Sequence, residues 1–211
     1  MRIVRTGVTL ALLGALGLTA CSSGAPGAGP SGTPAAPVVD PATAPAVDPT
    51  LAPVAEAPAE WRTLPLGPVV LDVPGGFEMV QEPDDDDART ASWVVRRGDQ
   101  DGARAAISVA RDTDPTRTPA QSAEAALRSE ESQRGAHDGE RTALTWPGVQ
   151  DAAHLSYVQD VLVGSRTVEH RAEWVYADLP DGSQVAVGVV APVEMFDELG
   201  LHEVLETWRP A

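Results

Sequence analysis

The sequence predicts an α+β domain, an antiparallel β-sheet covered by helices, preceded by a signal peptide and a disordered Pro/Ala-rich tether. Three observations predict it. Segments that alternate apolar and polar residues recur on both sides of a single capped helical pattern. Two of the longest are joined by Leu179-Pro180-Asp181-Gly182, a hairpin signal. The order of strands, one helix, more strands and a terminal helix is that of a helix-covered antiparallel sheet.

Residues 1–20 read as an export signal. Arg2 and Arg5 supply a positive start, and Val8 to Leu18 form an apolar run. That run is too short to span ~30 Å of hydrocarbon, which needs about 20 apolar residues. The run ends in Leu18-Thr19-Ala20-Cys21, with the only cysteine of the chain. This resembles the lipobox of bacterial lipoproteins: Leu, a small residue, Ala or Gly, then Cys. The resemblance implies cleavage just before Cys21, a diacylglyceryl group on its thiol, acylation of the new amine, and anchoring on the extracytoplasmic side of the cell membrane. A thiolate is the nucleophile such lipidation needs. Two chains, at roughly 0.8 kcal/mol per buried methylene, hold a protein that one chain holds only marginally. The plainer alternative is an ordinary cleaved signal with an incidental Cys.

Residues 21–60 follow as the lipidated Cys and its tether. Prolines recur nearly every fourth residue from Pro26 to Pro58, which forbids helix and sheet ladders and favours semi-extended polyproline-II segments. At ~3.1 Å per residue the tether reaches at most ~120 Å, so its implied role is to stand the domain off the membrane. Thr33, Thr43 and Thr50 sit among Pro and Ala, as in an O-glycosylated stalk.

Residues 61–211 are expected to form the single α+β domain. The formal charge is −16, and loss of Arg2 and Arg5 with the signal makes it −18. Such a field repels nucleic acid and anionic headgroups. All fifteen basic residues are Arg, and the chain has no Lys and no Asn. That composition excludes Schiff-base and phosphate-loop lysines and N-glycosylation sites. With Cys21 carrying lipid, no disulfide is available and packing alone must hold the domain.

Within the domain, Val69 to Val73 reads as a strand, broken by Pro74-Gly75-Gly76, with Phe77 restarting an extended piece. The acidic run Glu82 to Asp87 cannot pack. Ala91 to Arg96 and Arg104 to Arg111 alternate around a turn at Gly98 to Gly102, with Trp93, Val95, Ala105, Ile107 and Val109 on one face. The helix spans Pro119 to Arg134, with Thr118 at its N-cap, Gln121 completing a capping box and Gly135 ending it. Its stripe is Ala123, Ala126 and Leu127, small enough for close packing on a sheet. Strands follow at about 152–160, 166–177 and 184–190. Val168, His170, Ala172, Trp174 and Tyr176 share one face of the longest, and Val185, Val187 and Val189 alternate opposite them. An amphipathic segment from Phe196 to Trp208 closes the domain.

Val73-Pro74-Gly75-Gly76-Phe77 resembles the strand-then-Pro-x-Gly-aromatic opening of the PsbP/Mog-type fold, and Phe196 with Thr207-Trp208-Arg209 resembles its end. The LpqN-type lipoproteins of actinobacteria combine such a domain with a lipobox and a Pro/Ala-rich tether. The resemblance implies an αβα sandwich over about residues 61–210, acting as a non-enzymatic binding or assembly module linked to envelope lipid trafficking. It carries over no site residue.

Candidate chemistry is sparse. His202-Glu203-Val204-Leu205-Glu206 is similar to a His-Glu-x-x-His zinc helix, but Glu206 stands where the second His belongs, and a solvated helix face accounts for it better. Asp84 to Asp87 lacks the glycine turn of a calcium loop and reads as a solvated acidic loop. His154, His170, Ser156, Ser165, Asp160 and Asp178 permit a Ser-His-Asp set on paper, without any Gly-x-Ser-x-Gly elbow. Among the aromatics, Trp93 and Trp174 are core positions, while Trp61, Trp146 and Trp208 lie at edges or loops, where exposed indoles stack on sugars or line an acyl pocket. The expectation is a membrane-anchored, monomeric binding module for an envelope protein or lipid, without a cofactor, metal or nucleic acid. A wall-glycan or small-ligand binder using exposed Trp is the alternative, and a hydrolase the third.

Overall fold

The structure is a computed structural model, and it describes residues 51–54, 56–85, 88–98 and 104–211. Cys21, the export signal, Thr33, Thr43 and Thr50 lie outside the described residues, as do Asp86, Asp87 and most of the turn expected after Gly98.

Among the described residues, ten strands and three helices follow in order: β1 (Arg62–Leu66), β2 (Val69–Val73), β3 (Glu78–Gln81), β4 (Thr90–Gly98), β5 (Arg104–Asp112), α1 (Pro119–Arg134), β6 (His137–Leu144), β7 (Asp151–Val163), β8 (Arg166–Asp178), β9 (Gln184–Pro192), α2 (Val193–Glu198), α3 (Leu201–Glu206) and β10 (Arg209–Pro210). The fold is α+β, and the strand pairs are antiparallel. In place of one sheet there are two, a seven-stranded sheet ordered β3-β4-β5-β9-β8-β7-β6 and a three-stranded sheet ordered β1-β2-β10.

Helix α1 has the expected bounds because its ends are specified locally. Gln121 N donates to Thr118 Oγ1 at 3.3 Å and Thr118 N to Gln121 Oε1 at 3.1 Å, closing the capping box. Gly135 ends the helix in the left-handed conformation that a side chain resists. Ala123 and Leu127 press onto Ala153, Leu155, Tyr157 and Ala172 of β7 and β8. Trp174 also faces this layer and lies flat over its cross-strand partner Gly188, where a Cβ would come within 2.2 Å of the indole.

The opposite face of the large sheet carries the main core. Val175, Ala177, Val185, Val187 and Val189 meet Leu66, Leu71, Phe196, Leu201 and Leu205 there. The valine triad of β9 therefore lies on the other side of the sheet from Trp174. The closing segment is two short helices, not one, because Gly200 adopts φ 59° between them. Strands β1 and β6 go beyond the expected elements. β6 is a polar, exposed edge strand without apolar alternation, and β1 carries Pro65 on an edge where the missing N–H costs no ladder bond.

Packing also reaches upstream of Trp61. Leu51 is only 3% exposed and belongs to the main core, so the last part of the Pro/Ala-rich stretch is a strap laid on the domain.

Candidate functional site

The strap is gripped by α3. Val54 N donates to the Glu206 carbonyl at 3.0 Å, and Ala52 N to Glu206 Oε1 at 3.4 Å. Pro53, lacking an N–H, fits between those two donors without leaving one unpaired. A turn closed by Trp61 N on the Pro58 carbonyl, at 2.9 Å, then swings Trp61 beside Gly200.

Between strap and domain runs a groove of about 640 Å³, walled by Pro53, Val54 and residues 56–59 and floored by Trp61, Trp146 and Trp208. Sequence reasoning had scattered these three indoles over edges and loops, and the structure brings them to one place. It corrects their exposure. Trp146 and Trp208 are 5% and 2% exposed and stack face to face, with centroids 5.3 Å apart and planes 6° from parallel. Trp146 Nε1 donates to the Trp208 carbonyl at 3.1 Å, while Trp208 Nε1 is buried without a hydrogen-bond partner. Only Trp61, half-buried, offers ring surface to a ligand.

The groove is acidic as well as aromatic, with Glu56, Asp72 and Glu206 against Arg209. Burial pushes the Asp72 carboxyl up, but hydrogen bonds from Thr63 (2.5 Å) and Arg209 (2.9 Å) outweigh it and hold it below the ordinary value.

Behind α3 lies a second cluster that sequence reasoning missed. Glu173 is fully buried in β8, on the face of Val175 and Ala177. His202 Nδ1 of α3 lies 2.7 Å from Glu173 Oε2, and His154 Nε2 of β7 lies 3.3 Å from the same oxygen. Arg171 Nη2 comes within 2.5 Å of Oε1, yet no well-aligned hydrogen bond reaches that oxygen, so the contact is an ion pair. Arg171 also caps the Phe196 ring at 4.8 Å and approaches Asp197 at 3.8 Å. Burial alone would raise the Glu173 pKa. The bonds from His154 and His202 and the charges of His202 and Arg171 overcome it, and Glu173 stays a carboxylate well below its usual range. The hydrogen bond to Glu173 in turn raises His202, against its own burial.

His202 therefore lies against the sheet, not on a solvated helix face. Glu206 approaches its Nε2 at 4.0 Å. Both histidines direct a nitrogen at one carboxylate oxygen, the arrangement of donors around an acceptor and not of ligands around a metal. Among the described residues no group of three or more His, Cys, Asp or Glu is placed to hold a metal ion. The paper Ser-His-Asp set is dispersed. His154 and Ser156 face the Glu173 layer, whereas His170 faces the α1 layer and its Nδ1 bonds the Val168 carbonyl at 2.9 Å. Asp178 is engaged by Gln184 Nε2 at 2.8 Å. Asp84 and Asp85 are exposed.

No family model matches the chain. No curated protein matches it either. Among solved structures it is similar to LpqN, a Mycobacterium tuberculosis protein involved in cell envelope biogenesis, at 18% identity over 74% of this chain and 82% of that one, with a TM-score of 0.38. A likeness of this size does not place the chain in that protein's family.

Proposed function

We propose that the chain is a non-enzymatic binding module, held on the extracytoplasmic face of the cell membrane by lipid on Cys21, that docks an envelope protein or lipid in the groove beside Trp61. The observation that carries the reading is the position of that groove. The last stretch of the tether forms its wall, and Trp61 presents an aromatic surface among carboxylates at its opening. An apolar group can cover the indole while polar groups meet Glu56 and Glu206, the mixed lining typical of a small binding site. A sugar would have to stack on Trp61 alone, because Trp146 and Trp208 cover each other, and this ranks the glycan reading second.

Photo-crosslinking in native membranes tests it. A photoreactive residue at Ala59, in the groove wall, is expected to give a discrete lipid or protein adduct that weakens in a Trp61→Ala background. The same probe at Leu162, on an exposed hairpin tip, is expected to give none. Equal adducts from both positions contradict the groove as the binding surface. The anchor is tested separately: Cys21→Ser is expected to move the protein from the detergent phase to the aqueous phase, and unchanged partitioning contradicts lipidation.

A further inference from the structure

We propose that α3 and the strap are held to the sheet by a proton-operated latch, in which protonated His202 bridges buried Glu173 to Glu206 and, through Glu206, to the strap amides of Ala52 and Val54. The geometry sets the requirement. One imidazole ring faces two carboxylates from its two nitrogens, Nδ1 toward Glu173 at 2.7 Å and Nε2 toward Glu206 at 4.0 Å. Only the imidazolium carries a proton on both nitrogens. A neutral ring keeps its proton on Nδ1, where the buried Glu173 oxygen needs it, and turns a lone pair toward Glu206. The two then repel, and Glu206 is drawn toward solvent. Glu206 is the residue that grips the strap, its Oε1 accepting from Ala52 and its carbonyl from Val54.

β7 brings His154 to the same Glu173 oxygen, and β8 brings Arg171, whose charge works against protonation of His202. Asp197 of α2 draws on Arg171, and Glu203 of α3 is exposed. Asp72 of β2 is held by Arg209 and Thr63, and β9 carries no titratable side chain. The raised His202 fixes the sign. Its contribution is fully present below the ordinary value of 6.5 and is lost as pH rises through the raised one. Glu173, depressed, contributes fully above its ordinary 4.5 and fails only as pH falls through its lowered value. The latch is therefore closed in mildly acidic medium and slackens toward the alkaline side.

Amide hydrogen exchange on the isotope-labelled mature chain tests this, following Ala52 and Val54 from about pH 5.5 to about pH 8.5, the range of histidine titration, with each rate corrected for the intrinsic rate of an open peptide. In the wild type, protection of both amides is expected to fall several-fold across the range. In His202→Asn, which keeps a neutral donor near the Nδ1 position, it is expected to stay flat, as it is in Glu206→Gln. Core amides of β5 and β9 are expected to stay flat throughout. Flat protection in the wild type, or the same fall in both variants, overturns the latch. Should either variant fail to fold, the imidazole titration of wild-type His202 decides: a midpoint above 6.5 supports the latch, and one at or below 6.5 overturns it.

Discussion

The two faces of the seven-stranded sheet are covered in opposite ways. On one, α1 lays Ala123 and Leu127 on β7 and β8, with its ends fixed by its own neighbours in sequence. On the other, α2, α3, the small sheet and the strap form a larger apolar core that also encloses an ionised carboxylate. The first layer depends on local capping and burial. The second depends on contacts such as His202 to Glu173, made by residues 29 apart. A face held by apolar contact has no buried charge to lose near neutral pH, whereas a face pinned by a buried charge is conditional. The conditional face is also the one that carries the groove and the strap.

The strongest way to break that contrast is to remove the buried charge. Glu173→Ala leaves Arg171, His154 and His202 without their shared partner, and breaking a buried ion pair costs about 3–5 kcal/mol. The partners are partly exposed and can rehydrate, so about 3 kcal/mol is expected by urea unfolding, at the lower end of that range. Leu51→Ala comes next. Truncating a buried leucine costs ~2–3 kcal/mol at a site near the start of the compact unit, where neighbours can close in. Trp61 emission should shift to the red as the strap lifts. On the α1 face, Thr118→Ala is expected to cost only about 1 kcal/mol, the value of one N-cap, with groove indole signals unchanged.

A pH scan gives the smallest shift and separates the faces most cleanly. The Glu173–His202 layer loses stability as pH falls from 4.5 toward the lowered Glu173 value, and again as pH rises from 6.5 through the raised His202 value. The α1 face encloses no buried carboxylate among the described residues. Burial, helped by the Glu130 charge, pushes Tyr157 up to about 12, so its neutral form is kept until the unfolded chain begins to ionise near 10. Protection of α1 amides that followed the His202 titration would contradict the assignment.

The same contrast explains what could be read in advance. Helix α1 was legible because Thr118, Gln121 and Gly135 specify it within one stretch, and β7, β8 and β9 because alternation and the Leu179–Gly182 turn mark them. Strand β6 was not, since an exposed edge strand needs no apolar face. Glu173 was hidden by its partners' distance in sequence, although one signal was present: it falls in phase with Val175 and Ala177, a carboxylate on the core side of a central strand. The strap was hidden by its tether-like composition. Leu51, the only leucine between Cys21 and Trp61, was its one mark. The three edge indoles line one groove, but Trp146 and Trp208 are buried where edge positions suggested exposure, because residues 62 apart stack only once the chain closes.

The chain's five tryptophans give a direct test of binding at the groove, because they sample both faces. The protein, with indole N–H groups isotope-labelled, would be titrated with detergent-solubilised native membrane extract and followed by NMR. The Trp61 indole resonance is expected to shift in a saturable way, with Trp208, which lines the same groove, following and Trp174, on the α1 face, unmoved. A shift confined to Trp174, or no saturable shift at Trp61, would contradict a binding surface at the groove between strap and domain.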